Sequence, residues 1–387
     1  MAQKVQTAGS AGRNSLIVII VCLLLTALAG IYFRSNEQEV QPDEYAEYEN
    51  GKVIAILKDS TFIDPDSDNG YRGEQMLTVE VTTGQYKGET LLVYNYISPL
   101  YGVPVEKGDS VTMIISTYKD GSHTATVYEY NHLPGIIILF ALFILACVFV
   151  GGRNGAKSLI GLCFILVNIF FVLLPALMKG APTILTTFLV AVVVSAFGLT
   201  VMSGVNKKTV CAFLGTVSGV AVAFLFAWGA QKLLRISGLR ADEVEGLLQL
   251  RQTGTPIRLR GLLSAGIIIS SIGAVMDVTM GLASAAAEIH EADRKMSVGK
   301  LFASGMNIGK DMVGTMTSTL ILAFLGSSFV LILYLYSLSL GKYQFLSSAY
   351  FAIEIINGLS TSIGAILSIP ITAFISARAF GSSADRS

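Results

Sequence analysis

The stretch Gly261–Ala287, GLLSAGIIISSIGAVMDVTMGLASAAA, decides the fold. It exceeds the roughly 20 apolar residues that a bilayer-spanning helix needs. It carries one charge, Asp277, inside Ala274-Val275-Met276-Asp277-Val278-Thr279-Met280. A carboxylate at mid-bilayer costs about 2.5–3.5 kcal/mol on insertion scales, so an acid retained there points to function. Ser270, Gly273, Asp277, Gly281, Ser284 and then Glu288 recur at three- and four-residue steps, which puts them on one helical face.

The next two apolar spans repeat the pattern. Ser304, Asn307, Asp311, Thr315 and Ser318 share a face around the span Asn307–Leu340. Glu354, Asn357, Thr361, Gly364 and Ser368 do so in Ser348–Phe380, just before Pro370. Lipid accepts none of these groups, so three such faces predict a common interior or a water-filled cavity. The functional reading is a substrate or ion pathway lined by Asp277, Asn307, Asp311, Glu354 and Asn357. Gly273, Ser284, Gly305, Gly309 and Thr315 would form its small and polar support. For the serines, threonines and glycines, interhelical packing is the simpler reading. Gly305 and Gly309 permit either a tight crossing or a local unwinding beside Asn307, as broken helices do in transporters.

Composition agrees with a membrane chain. Of 387 residues, 52% are hydrophobic and only 14% charged, against about 25% charged in soluble domains. Whole-chain disorder is excluded by the same numbers. Lys+Arg 27 balances Asp+Glu 27, so no basic excess invites nucleic acid. Further spans are expected at Leu16–Phe33, Pro134–Val150, Ser158–Met178, Thr183–Met202 and Val210–Gln231, giving eight in all. Ala27-Leu28-Ala29 resembles a signal-peptidase site, but apolar character continues through Phe33 and favours an uncleaved anchor.

Between the first two spans lies a different region. Arg34–His132 holds seventeen acidic and seven basic residues, a net charge of −10 that leaves +10 for the remainder. Leu77, Val79 and Val81 alternate with Thr78, Glu80 and Thr82, the period of a half-buried strand. Similar runs occur at Lys52–Leu57, Thr90–Tyr96, Ser110–Ser116 and Thr124–Tyr130. Turn signals separate them at Asp64–Gly70, Thr83-Gly84, Lys107–Asp109 and Asp120-Gly121. About five short strands fit a small OB-like barrel, with a β-sandwich as the alternative.

The organisation is therefore residues 1–33 as N-terminus and anchor, 34–132 as a β-domain, 133–380 as a polytopic domain and 381–387 as a tail. Short-loop positive charge sets orientation. Lys4, Arg13, Arg153, Lys157, Lys207, Lys208, Arg294, Lys295, Lys300, Arg378 and Arg386 fall on one side, expected to be cytoplasmic. The termini are then cytoplasmic and the β-domain extracytoplasmic, at a plasma membrane. Lys232–Arg260 resists this rule, with six basic residues on the opposite side. Its Val244, Leu247, Leu248 and Leu250 suggest an amphipathic interfacial helix.

Other signals are weaker. Cys22, Cys147, Cys163 and Cys211 lie in apolar runs and read as small packing residues. Asp64, Asp66 and Asp68 resemble the start of a calcium loop, but the required glycine comes one position late at Gly70 and Gln75 stands where the final glutamate belongs, so a solvated turn is preferred. His290 reads as solvated in the charged loop Glu288–Lys300. No nucleotide loop, catalytic triad or zinc motif is present.

The runs Gly273–Asp277, Ser284-Ala285, Glu288-Ile289, Ser304–Met316 and Thr319–Ala323 resemble the YibE/F-like family of bacterial membrane proteins. The resemblance extends to the layout of anchor, small β-domain and bundle. It implies a polytopic plasma-membrane protein and supplies no substrate.

The leading functional expectation is a secondary transporter or permease for an unknown small solute or ion, not an enzyme and without a cofactor. Asp277 would bind a proton or cation, with Asn307 and Glu354 adding contacts. The alternative is an envelope scaffold or sensor whose β-domain binds an extracytoplasmic partner. A remote alternative is an intramembrane aspartyl protease using Asp277 and Asp311, although Ile308-Gly309-Lys310-Asp311 lacks the expected glycine pattern. Expected partners are the bilayer and a possible second copy of the chain.

Overall fold

The computed structural model describes residues 2–34, 46–68, 70–118, 122–236, 244–252, 254–339 and 341–381. The turn at Asp120-Gly121, residues 237–243 and the tail 382–387 lie outside these described residues. The chain forms two compact units: Gln38–Ala146, and Met1–Glu37 together with Cys147–Ser387.

The first unit is built on six strands: β1 (Ala46–Asp59), β2 (Phe62–Asp64), β3 (Gly70–Val81), β4 (Thr90–Ile97), β5 (Ser110–Thr117) and β6 (His123–Tyr130). The order β1-β5-β6-β4-β3 closes through a β1–β3 pairing into a five-stranded barrel, with β2 a short extra hairpin on β3. All pairs are antiparallel except β4–β6. Closure depends on the length of β1. Its first half pairs with β5 and its second with β3, and register shifts at Val53/Ala55 and Ile56/Lys58 bend it between them. Gly51 sits at the crossover, where an added Cβ would stand 2.5 Å from Val79 and 2.7 Å from Met113. The period-2 alternation buries Val53, Leu77, Val79, Val93, Met113 and Ile115 inside. Also inside is a polar pair: Asn95 Nδ2 donates to Gln75 Oε1 at 3.0 Å, which also accepts from Val105 N–H at 3.0 Å. The aspartate turn is used internally, since Asp64 caps the turn Pro65–Ser67 and pairs with Arg72.

The helices are α1 (Ala2–Arg34), α2 (Leu133–Asn168), α3 (Leu174–Met178), α4 (Thr183–Ser203), α5 (Lys207–Leu234), α6 (Val244–Gln252), α7 (Leu262–Ala292), α8 (Val298–Ser327), α9 (Phe329–Ser337), α10 (Lys342–Leu346) and α11 (Ala349–Phe380). Seven apolar helical stretches among the described residues are long enough to cross a membrane. Eight spans were expected; one stretch, Leu133–Met178, contains two of them. Gly152 divides it with φ 52° and ψ −131°. In a straight helix Cys147 and Gly155 would lie about 12 Å apart, yet a Cβ on Gly155 would stand 2.0 Å from the Cys147 carbonyl oxygen. The chain turns back on itself there. Further on, Pro175 lacks an N–H for the preceding turn, and Ile169–Leu173 widens into a π-turn between α2 and α3.

Other boundaries shift. The span expected at Asn307–Leu340 begins at Val298, where the Ser297 hydroxyl caps the helix, and breaks at Ser328. Helices α7 and α8 run unbroken past Asp277 and Asn307, so no unwinding occurs beside them. α6 is the helix expected within Lys232–Arg260. His290 lies on the last turns of α7 rather than in a loop, its ring 5.8 Å from Phe380.

The centre of the second unit is a seam of α5, α7 and α11. Thr216 and Thr279 share a hydrogen bond of 2.7 Å, Ser270 and Thr361 one of 3.1 Å, and Gln231 donates to Ser264 at 2.9 Å. One end of the bundle gathers basic residues: Val205 N–H donates to Ser15 at 2.8 Å, Lys157 to Met202 O and Lys207 to Ala379 O, each at 3.4 Å. The α4 start and the segment after α6 meet at the other end, where Thr183 donates to the Arg258 carbonyl at 3.1 Å.

Candidate functional site

α7 has two unlike faces. Ser271, Val275, Val278, Thr279 and Leu282 are buried against α5 and α11. Gly273, Asp277, Gly281 and Glu288 lie on the opposite face and are exposed; Ser270, also exposed, reaches Thr361 of the seam at 3.1 Å, and Ser284 is half-buried and bonded to Met280 O at 2.7 Å. α8 repeats this. Gly305 and Gly309 are buried against Ala373 and Ile369 of α11. Asn307, Asp311, Thr315 and Ser318 point away from that contact and are exposed. Close packing explains this arrangement: a Cβ on Gly309 would stand 2.2 Å from Ile369 Cγ2, so the glycines are spent on the crossing.

The two exposed faces are neighbours. Gly281, within the Asp277 face, would place a Cβ 3.4 Å from Met312, the residue after Asp311. Asp277 therefore lies close to the level of Thr315 on α8. Among the described residues, no side chain hydrogen-bonds to the side chains of Asp277, Asn307 or Asp311, although the Thr315 hydroxyl donates to the Asp311 backbone carbonyl at 3.5 Å.

α11 behaves differently. Thr361, Gly364 and Ser368 are buried in the helix seam. Glu354 and Asn357 are half-buried near its start. Glu354 accepts a hydrogen bond from Ser328 at the α8–α9 break. From the Thr315 level to Ser328 the helix rises about 20 Å, so Glu354 belongs to another depth than Asp277. The three polar faces thus do not converge on one interior. Between α7, α8 and α11 the space bounded by Val278, Met312, Met316, Thr317 and Ser362 is about 10 Å³, room for one water at most.

Three features escaped the sequence reading. Asn168 is buried at the π-turn, accepting from Thr26 at 3.1 Å and donating to Phe164 O at 2.9 Å. Its position two turns before Pro175 was the available signal. Among the described residues, His290 Nδ1 is buried without a hydrogen-bond partner. Arg251, Arg258 and Arg260 border a cavity of about 1130 Å³ between α4 and α5.

The YibE/F-like protein family matches residues 139–382, covering α7, α8 and α11 entirely. The chain belongs to the YibE/F-like family. No curated protein and no solved structure matches it. The matched region starts within α2, so the family resemblance is carried by the helical bundle, and the β-barrel lies outside it. Within this YibE/F-like bundle, Asp277 and Asp311 sit on adjacent outward faces of two packed helices.

Proposed function

We propose that the protein is a membrane permease whose ion-coupling site is the outward polar surface of α7 and α8, completed by a second copy of the chain. One observation carries this: Asp277, Asn307, Asp311, Thr315 and Ser318 are exposed on neighbouring faces opposite the packed ones. Lipid is a costly environment for two carboxylates and an amide, so another polar surface must cover them. The apolar segment Leu133–Val150 offers no hydrogen-bonding side chain other than Cys147. A second copy presents the same acids, amide and hydroxyls, and a two-fold axis makes the face self-complementary. Two such faces enclose a polar path in which Asp277 takes up a proton or cation. Glu354, with Ser328, then serves the far end of the path.

The charge asymmetry supports a cytoplasmic position for the end bearing Arg13, Lys157 and Lys207, with the acidic barrel outside the plasma membrane of a bacterial cell. The strand order and the parallel β4–β6 pair support an OB-type barrel. A second reading, a sensor or scaffold, is favoured by exposed Leu92, Tyr94 and Tyr96 along β4 and by exposed Tyr48 packed edge-on to Tyr128 at 5.3 Å. Such a stripe suits stacking on a peptide or sugar outside the cell.

Proton and sodium flux into proteoliposomes, driven by an imposed gradient, tests the first reading. Asp277→Asn is expected to abolish flux while leaving the melting temperature and oligomeric state unchanged. Undiminished flux in that variant would overturn the assignment. Restoration of the cellular role by the barrel on an unrelated single anchor would establish the second reading instead.

A further inference from the structure

The end of the bundle opposite Arg13 and Lys207 carries positive charge that the orientation rule does not account for. Ile257 and Leu259 are buried against Met178, Leu247 and Leu262, so the alternating Arg258 and Arg260 are turned outward and exposed. The segment is firmly seated. Thr183 binds the Arg258 carbonyl, and a Cβ on Gly180 would stand 2.5 Å from the Pro256 carbonyl oxygen. Arg251, from α6, joins the two at the mouth of the cavity of about 1130 Å³. Below the arginines its walls are Leu185, Phe188, Phe224 and Leu225. Among the described residues, no carboxylate pairs with any of the three.

We propose that this groove binds an anionic lipid with a phosphate headgroup. The guanidinium groups grip the phosphate, for which their forked donors are matched. The acyl chain lies between α4 and α5 on the apolar wall. Free phosphate would satisfy the arginines and leave that wall bare, whereas an amphiphile covers both. The α5 stripe Ala221, Leu225, Trp228 and Lys232 continues the wall upward, and the Lys232 ammonium sits 3.7 Å over the Trp228 ring. A tryptophan with a basic neighbour marks the headgroup level. Lys232, Arg251, Arg258 and Arg260 then have a role in lipid capture rather than in setting topology.

Trp228 is the single tryptophan of the chain and lies one helical turn beyond the groove residues Phe224 and Leu225, so its fluorescence reads this side of α5. The test uses full-length protein in phosphatidylcholine vesicles, with brominated phosphatidylglycerol or brominated phosphatidylcholine titrated in as quencher. Each basic side chain contributes about fivefold to binding at an anionic surface, so three give up to roughly a hundredfold preference. Brominated phosphatidylglycerol is expected to quench Trp228 at a far lower mole fraction than brominated phosphatidylcholine. R251Q/R258Q/R260Q should erase the difference without changing the melting temperature, and R251K/R258K/R260K should keep part of it. Equal quenching of the wild type by both lipids would overturn the proposal. So would relief of quenching by inorganic phosphate, which would make this a free-phosphate site. Protection of Trp228 from both quenchers would show that protein covers the face, and would also overturn it. None of these outcomes depends on Asp277 or on transport.

Discussion

Gly364→Ala tests the packing that turns the Asp277 face outward. A Cβ at Gly364 would stand 2.6 Å from Ala223 Cβ and 2.9 Å from the Gly219 carbonyl oxygen. Both atoms belong to the α5 backbone or are fixed to it, so no rotamer change relieves the contact. Carbon atoms pack at about 3.5–4.0 Å, so α5 and α11 must separate by about 1 Å. A gap of that size forfeits a quarter to a half of each dispersion contact along the seam. Overpacking costs about 1–3 kcal/mol, and the fixed partners place this site at the upper end. Alanine regains about 1 kcal/mol of helix propensity, leaving a net loss of about 2 kcal/mol. The melting temperature of the detergent-solubilised full chain, followed by Trp228 fluorescence, should fall by roughly 4–8 °C. Gly229→Ala is the control, since nothing lies within 4 Å of its added Cβ. It should be neutral or stabilising by up to about 1 kcal/mol. If the two variants melt together, the seam is not held by close approach and the reasoning fails.

Two predictions concern the barrel. Gln75→Leu leaves the buried Val105 N–H without its acceptor and strips Asn95 of one partner; each orphaned group costs about 1–3 kcal/mol, and limited proteolysis of the full chain should show faster cleavage within residues 46–130. The Arg72 guanidinium beside Asp64 holds its carboxyl below the usual carboxylate range. Its contribution to stability is therefore present above about pH 4, the unfolded value, and is lost as pH falls through the lowered folded value. Asp64→Asn should weaken the barrel at pH 7 and match the wild type once both are fully protonated, as read by near-ultraviolet circular dichroism of the tyrosines. A difference that persists in strong acid would exclude the ion pair as its source.

Much of the fold was legible because single residues signal it. The Leu77–Val81 alternation reports a strand directly, as the apolar length of Gly261–Ala287 reports a span. Closure of the barrel was less visible, because it depends on two irregularities within β1 and on Gly51, none of which alters the alternation enough to be read. Gly152 was hidden among the glycines of Gly151–Gly155, and the helix that follows it starts before the expected Ser158. His290 was misplaced because Glu288 and Glu291 look like loop residues. α7 continues to Ala292 regardless, as a helix leaving the bilayer gains polar residues without unwinding.

The direction of the polar faces was the part periodicity could not supply. In water, burial of the apolar stripe identifies the inside of a helix. In a bilayer both neighbours are apolar, and packing is decided by where backbones can approach. α5 supplies that approach through Gly219, which receives Val275, and Gly215, which receives Thr279 and Thr372. Once Val275 and Thr279 are held there, Asp277 lies two residues from each, about 200° around the helix, and must face away. The glycines that enclose the seam therefore expel the carboxylate from it. An acid excluded from its own bundle meets lipid at a cost of about 2.5–3.5 kcal/mol, and that cost is the ground for the proposal that a second copy covers the α7–α8 face.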